Sequence, residues 1–411
     1  MPVPTDPPPG VWMTVVGVGA DGLLDDAALA LVQDAEVLLG GRRHLAAAPE
    51  ADGQERLTWP SPLADGLPAL LDRLRGRRTV ALASGDPMVS GIGSTLVREL
   101  GADAVRVLPA VSSVALARAR LGWPAEESAV VTLVGRHEER LLREVAPGRR
   151  LLLLTSGPGT PAVVGRLLTD AGCGAAVLTL LADLGSGQES RIRRTALDWV
   201  VDPLNEVPAL HVLAVEIPSD VAGWRSSWVA GLPDDAFEHD GQLTRRDLRA
   251  SALARLAPSP GQHLWDVGAG AGSIGVEWMR AHPTCRTTSV ESHPDRAARI
   301  ARNARRLGVP DLTVVEGRAP DALAGLAPPD AVFIGGGATR PGVLDACLKA
   351  LSPGGRLVVH GVTLETEGLL ADAHRTRGGE LTRIAVETTA PVGTFTGWTP
   401  ARTVTQWSWT R

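Results

Sequence analysis

The stretch best equipped for chemistry is Leu264-Trp265-Asp266-Val267-Gly268-Ala269-Gly270-Ala271-Gly272-Ser273. Its G-x-G-x-G spacing removes the Cβ atoms that would hold a ligand away from backbone N–H groups. A helix starting just after such a loop adds unpaired N–H groups and positive dipole charge. Glu291 follows nineteen residues beyond Gly272, at the end of the strand-like run from Arg286 to Val290. A carboxylate there accepts hydrogen bonds from both hydroxyls of a ribose and repels a 2′-phosphate. Loop and acid together describe a site for an adenosine ligand and argue against NADP. The dinucleotide pattern G-x-G-x-x-G needs glycine at 273, where this chain has Ser273. The spacing therefore moves the expectation from NAD toward S-adenosylmethionine (SAM), whose carboxylate suits the helix end.

A second group of small-residue loops lies upstream. The run 79–83 reads as a strand entering Ser84-Gly85-Asp86-Pro87, and Ser90-Gly91-Ile92-Gly93-Ser94 opens a helix. Two such loops between one strand and one helix are a ligand-binding arrangement, although either alone is an ordinary turn. Ser112 and Ser113 stand before a helix, where serine is also a good N-cap. Gly40-Gly41-Arg42-Arg43-His44 reads as a basic turn. It is either a solvated loop or a clamp for substrate carboxylates, since Arg offers a bidentate fork.

These positions need strands alternating with helices. Residues 1–12 read as a flexible, proline-rich tail. Apolar, β-branched runs at 13–18, 37–39, 79–83 and 105–108 alternate with helical periodicity. Leu121-Gly122-Trp123-Pro124 ends that set, and further strands are expected at 129–134, 151–154, 176–180 and 209–215. Periodicity lapses over 217–238, which carries Pro218, Gly223, Gly231 and Pro233, so this stretch is expected to be a linker. Trp224 and Trp228 imply that it packs on something. Beyond it, Thr244-Arg245-Arg246-Asp247 caps a helix, and 294–307 is an arginine-rich helix. Strands are expected at 312–315, 330–334 and 356–360, and 391–409 suits a closing hairpin. The reading is an α/β protein with domains at 13–216 and 239–411, each within the size range of an independently folding unit.

Composition narrows the classes. The chain has 411 residues and a net charge of −5, which disfavours an extended nucleic-acid footprint. No apolar run reaches membrane-span length, and no signal segment is evident, so a cytoplasmic protein without a membrane partner is expected. Cys173, Cys285 and Cys347 are scattered, and the histidines show no H-E-x-x-H spacing, so no metal is expected. Tyrosine is absent, which removes it from every catalytic proposal.

Residues 239–411 resemble the class I SAM-dependent methyltransferases, with a Rossmann-like sheet. Among these the likeness is to the decarboxylating precorrin methyltransferases of cobalamin biosynthesis. It is carried by Leu243-Thr244-Arg245, the 265–273 loop, Asp330-Ala331-Val332-Phe333-Ile334-Gly335-Gly336 and Val362-Thr363-Leu364-Glu365. Residues 13–216 resemble the tetrapyrrole methylase family, whose fold is a two-lobed α/β domain. The carriers are Gly17-Val18-Gly19, Gly40-Gly41-Arg42-Arg43-His44-Leu45, Ala83-Ser84-Gly85-Asp86-Pro87, Gly91-Ile92-Gly93-Ser94 and Val111-Ser112-Ser113-Val114. Both halves point to one pathway, and the whole resembles a fused, bifunctional enzyme. The resemblance implies two methyl transfers from SAM to meso carbons 5 and 15 of a small tetrapyrrole, precorrin-6B. The C-terminal half would act at carbon 15 and release the ring C acetate as carbon dioxide, and the N-terminal half would act at carbon 5. By family match Thr244, Gly268, Ala269, Gly270, Ala271, Gly272, Glu291 and Ala319 line one SAM site, and Gly85, Asp86, Pro87, Ser112 and Ser113 the other. Two SAM per chain are thus expected. The chain departs from the family pattern at Ala20, at Arg318 and at His360-Gly361.

Methyl transfer from a sulfonium is an in-line displacement, so alignment and burial do most of the work. Arg42, Arg43 and Arg340 are candidate anchors for the substrate carboxylates. His360 is the one residue singled out for a proton step, although a histidine satisfied at a strand end is the preferred reading. The rival enzyme is a nicotinamide-dependent oxidoreductase on the C-terminal sheet. The rival outside catalysis is a SAM- or corrin-binding scaffold. The sequence leaves homo-oligomer formation open.

Overall fold

The computed structural model describes residues 10–221 and 227–411. Gly223 and Trp224 of the expected linker, and most of the expected tail, lie outside the described residues. The chain divides into two units. The first comprises 1–135, 150–169 and 174–216, and the second 136–149, 170–173 and 217–411.

The first unit has two sheets. Strands β1 (Met13–Val18), β2 (Val37–Gly40), β3 (Glu55–Thr58), β4 (Thr79–Ser84) and β5 (Val105–Leu108) pair in the order β3-β2-β4-β1-β5, all parallel. Every residue of β1 is buried, as its unbroken apolar run requires when both sheet faces are covered. Met13, Val15 and Ala81 pack on one face, Val16, Val80 and Leu82 on the other. The second sheet is mixed, with the order β6-β7-β10-β8-β9: β6 (Ser128–Thr132), β7 (Arg150–Leu154), β8 (Val177–Ala182), β9 (Ser190–Thr195) and β10 (His211–Glu216). The strands β3 and β9 were not expected; their polar, half-exposed residues lack an apolar run.

The second unit is built on a seven-stranded sheet. Strands β11 (His263–Val267), β12 (Arg286–Glu291), β13 (Thr313–Glu316), β14 (Ala331–Ile334) and β15 (Arg356–Gly361) are parallel. After β16 (Glu380–Ile384) come a separate hairpin, β17 (Glu387–Val392) and β18 (Phe395–Pro400), and the strand β19 (Val404–Thr410). The sheet order is β13-β12-β11-β14-β15-β19-β16, and β19 runs antiparallel to both its neighbours. The expected closing hairpin over 391–409 is therefore two things: part of an exposed hairpin, and a strand inserted into the main sheet. Their alternation looks alike in sequence, but only β19 carries a buried face, ending on Trp407.

The expected linker is likewise partly structure. Leu232, Ala236 and Phe237 are buried with Leu253, Trp278 and Ile300. Beneath them Arg249, wholly buried, pairs with Glu277 at 2.5 Å. Glu277 also accepts the N–H groups of Gly231 at 2.6 Å and Leu232 at 3.0 Å, while Arg249 donates to the carbonyls of Leu232 and Thr244.

Candidate functional site

In the second unit the strand order reverses between β11 and β14, and the glycine loop leaves β11 at that point, where open α/β sheets bind ligands. Gly268, Gly270 and Gly272 have φ of +67°, +60° and +75°, which disfavours any side chain. Space forbids one as well. A Cβ on Gly268 would stand 2.7 Å from the carbonyl of Gly336, and one on Gly270 2.8 Å from that of Gln242. The helix Ser273–Ala281 follows directly. Asn303 fastens the loop from behind, its Nδ2 donating to the carbonyls of Ala271 and Glu238, each at 2.9 Å.

Glu291 is buried at the end of β12. Its Oε2 accepts the Gly270 N–H at 2.8 Å and its Oε1 the His293 N–H at 3.0 Å. A carboxylate offers about four lone-pair positions, so about two remain for the hydroxyls of a ribose. A loop with three glycines free of Cβ atoms and a fixed acid with spare acceptor capacity fit an adenosine ligand. Gln242 lies against Gly270, and Arg249 holds the carbonyl of Thr244 two residues further on. The Gly317 N–H donates to the Glu291 carbonyl at 2.9 Å, which brings the 317–319 turn with Ala319 to the same edge. Arg245, rather than Thr244, is the N-cap of the helix Arg246–Leu256, with no side-chain cap bond. Arg340 is exposed on the loop after β14.

Asp266, one residue before the end of β11, was not singled out in the sequence reading. Its Oδ2 accepts the Gly275 N–H at 3.1 Å, and its Oδ1 has no protein partner. Burial pushes its pKa up to about 7; the Gly275 N–H opposes this and the Glu291 charge adds to it. His360, on β15, is buried, bonded through Nε2 to Gln406 at 2.9 Å and set edge-on to Phe333. Burial lowers its pKa to about 4, against the Gln406 bond, so the ring is neutral at physiological pH. That geometry matches the strand-end histidine and gives no support to a proton donor.

The first unit holds a cleft of about 410 Å³. Val18 and Gly19, Ser84 to Asp86, and Val111 to Ser113 form one wall, and Thr155, Leu181 and His211 stand on the other. Gly85 has φ +55°, and a Cβ there would meet the Ser112 Cα at 2.8 Å. Asp86 accepts the Met88 N–H at 2.8 Å. Pro87 does not line the cleft; it is the surface against which Gly91 and Gly93 pack, so closely that a Cβ on either would collide with it. Ser112 is the N-cap of the helix Ser113–Leu121, its Oγ accepting the Ala115 N–H at 3.1 Å.

The expected basic turn is instead a helix start. Gly41 is the extended N-cap of the helix Arg42–Ala47. This leaves Arg42 exposed and puts Arg43 and His44 at the cleft. Sequence reading missed His44, Ser84 and His211 as cleft residues. The G-G-R-R-H and S-G-D-P runs contained the first two, but only the pairing of β2 with β4 joins them.

Both units thus present glycine-lined strand ends, on sheets of unrelated topology, and the loop with its acid in the second defines an α/β protein suited to an adenosine ligand. Residues 13–198 match the family model described as tetrapyrrole (corrin/porphyrin) methylases, and residues 235–411 the model described as a precorrin methyltransferase domain. A precorrin-6Y C(5,15)-methyltransferase [decarboxylating] from Sinorhizobium sp is 45% identical, over 97% of this chain and 96% of its own length. A cobalt-precorrin-7 C(5)-methyltransferase from Salmonella typhimurium is 34% identical over 43% of this chain and 87% of its own. From the same organism, a cobalt-precorrin-6B C(15)-methyltransferase (decarboxylating) is 36% identical over 28% of this chain and 60% of its own. The chain belongs to the family of decarboxylating precorrin-6Y C(5,15)-methyltransferases and is a SAM-dependent methyltransferase. This displaces the oxidoreductase and scaffold readings.

Proposed function

We propose that this chain methylates a precorrin at meso carbons 5 and 15 and releases the ring C acetate as carbon dioxide, in cobalamin biosynthesis. Residues 239–411 carry out methylation at carbon 15 and the decarboxylation, and residues 13–216 the methylation at carbon 5. Each half holds one SAM. The observation that carries this division is the presence of a separate glycine-lined site in each unit, at the loop 268–272 and at the cleft around Gly85. Relatives named for carbon 5 and for carbon 15 as distinct proteins support it.

Bound SAM supplies an electrophilic methyl group on a sulfonium. In the second unit the missing Cβ atoms of Gly268, Gly270 and Gly272 would let the ligand approach the backbone closely, and Glu291 would hold the ribose. Alignment of the methyl with the meso carbon then follows from a site fixed by Asn303, Arg249 and Glu277 rather than from acid–base groups. Arg43, at the first unit's cleft next to the exposed Arg42, and Arg340, exposed in the second unit, are candidate partners for substrate carboxylates through charge-assisted bonds. Loss of carbon dioxide leaves the C–C electron pair in the neighbouring conjugated ring, so no side chain need supply a sink, and a proton from solvent then adds to the remaining methylene to complete a methyl group.

The test is mass spectrometry of precorrin-6B incubated with the full chain and SAM, beside calorimetry with S-adenosylhomocysteine. Two added methyl groups, loss of carbon dioxide and two binding sites per chain are expected. A product carrying a single methyl, or a chain binding a single ligand, would refute the division.

A further inference from the structure

We propose that Ser84 and His44 form the relay that removes the proton from carbon 5 in the first unit's methyl transfer, with His44 as the final acceptor. The proposal rests on the assignment of carbon 5 to this unit.

The chemistry demands such an acceptor. A meso carbon attacks as an enamine: its electron pair forms the new C–CH₃ bond while the C–S pair returns to sulfur. Carbon 5 then bears both hydrogen and methyl beside an iminium. Conjugation returns only when the C5–H bond breaks, its electrons re-forming the double bond and its proton leaving.

The cleft holds one arrangement suited to take that proton. Ser84 Oγ lies 3.0 Å from His44 Nε2. Arg43 Nη2 lies 3.3 Å from Ser84 Oγ and 3.4 Å from His44 Nε2. A guanidinium only donates. Ser84 Oγ and His44 Nε2 are therefore both acceptors toward Arg43. In the tautomer with its lone pair on Nε2, the one able to accept from Arg43, His44 can also accept the Ser84 hydroxyl hydrogen. Ser84 is exposed at the cleft wall, with His44 half-buried behind it. Burial, and secondly the Arg43 charge, keep the imidazole below its usual pKa and so neutral at physiological pH. A weak base suffices, because a C–H beside an iminium is acidic. As C5–H transfers its proton to Ser84 Oγ, the hydroxyl proton passes to His44 Nε2, and the imidazolium then releases it to solvent.

The other ionisable groups nearby do not fill this role. Arg56, from β3, donates to the carbonyls of Leu45 and Ala48 beneath the helix. Asp86 is bonded to the Met88 N–H. His211, across the cleft, bonds through Nδ1 to the Pro208 carbonyl at 2.7 Å, and its Nε2 is sealed from the cleft solvent.

The experiment follows carbon 5 methylation by the full chain on decarboxylated, C15-methylated precorrin carrying hydrogen or deuterium at carbon 5. In the wild type, proton loss is fast and the isotope effect is near unity. In H44Q and S84A the rate falls by about 10²-fold, the low end for a lost general base. A primary isotope effect then appears, because proton loss has become limiting. Added imidazole restores part of the rate in H44G, and the acid limb of the wild-type pH profile disappears in H44Q. Calorimetry with S-adenosylhomocysteine confirms that each variant's cleft is folded. A rate loss with no isotope effect and no imidazole rescue, or an isotope effect in H211Q instead, overturns the relay. If the wild type adds no methyl at carbon 5 at all, the assignment of that carbon to this unit is refuted and the relay falls with it.

Discussion

Replacing Glu291 by glutamine should weaken ligand binding in the second unit and nowhere else. The carboxylate already accepts two backbone N–H groups, from Gly270 and His293, one on each oxygen. Glutamine keeps one oxygen, and its amide nitrogen only donates. That nitrogen must face either the Gly270 or the His293 N–H, and the remaining oxygen has about one free position for a ribose hydroxyl. At least one charge-assisted bond to the ligand is lost, worth roughly 1.5–3 kcal/mol. At about 1.4 kcal/mol per tenfold, the dissociation constant for S-adenosylhomocysteine should rise by about 10- to 150-fold. Calorimetry on the full chain reads this directly, because the first unit's site serves as an internal reference and should not change. Equal weakening of both sites would mean that they are not independent. An unchanged second site would mean that Glu291 is a structural brace for the glycine loop and not a ribose acceptor.

Glu277→Gln should destabilise the second unit by roughly 1.5–3 kcal/mol, because it removes the nearer of the two carboxylates paired with the wholly buried Arg249 and leaves only Asp234 at 3.3 Å; its thermal unfolding should fall while that of the first unit holds. Asp266 has a folded pKa raised to about 7 from 3.8. The folded state therefore holds the extra proton between those values, and stability falls as pH rises through that window. The slope approaches about 1.4 kcal/mol per pH unit. Denaturant titrations from pH 4 to 8 should show Asp266→Asn gaining on the wild type across that range, and a constant difference would refute the shift. Gly85→Ala should abolish carbon 5 methylation and leave carbon dioxide release intact. The left-handed backbone alone costs about 1–2 kcal/mol, and the Cβ meets the Ser112 backbone as well.

What could be read in the sequence was local. The loop 268–272 and its acid lie in a single strand–helix–strand run, so spacing alone announced them, and the positive φ angles give the reason for each glycine. The Ser84–His44 pair could not be read that way: forty residues separate them, and parallel pairing of β2 with β4 brings them together. Nothing local in the sequence marks Arg249 and Glu277 as a buried pair, since only tertiary packing buries them. The 217–238 stretch has Pro and Gly where periodicity was sought, but Glu277 and Asn303 meet its backbone N–H groups with side chains instead of a ladder. In the hairpin region, polar–apolar alternation cannot distinguish a strand exposed on both faces from one entering a sheet.

The position of β19 has a consequence for synthesis of the protein. This strand is made after β15 and β16, yet it lies between them, and β16 joins the sheet only through it. A nascent chain that has produced β15 therefore carries a sheet with an open edge, and nothing made in the meantime can close it. At about 5–20 residues per second, the roughly 50 residues up to the end of β19 take about 3–10 s. Throughout that interval the Leu357–Val359 edge is a template for pairing with a neighbouring nascent chain. A chain that stops short of β19 lacks the strand with which β16 pairs. Translation to the far side of β19 is thus the step that commits the second unit to its native sheet.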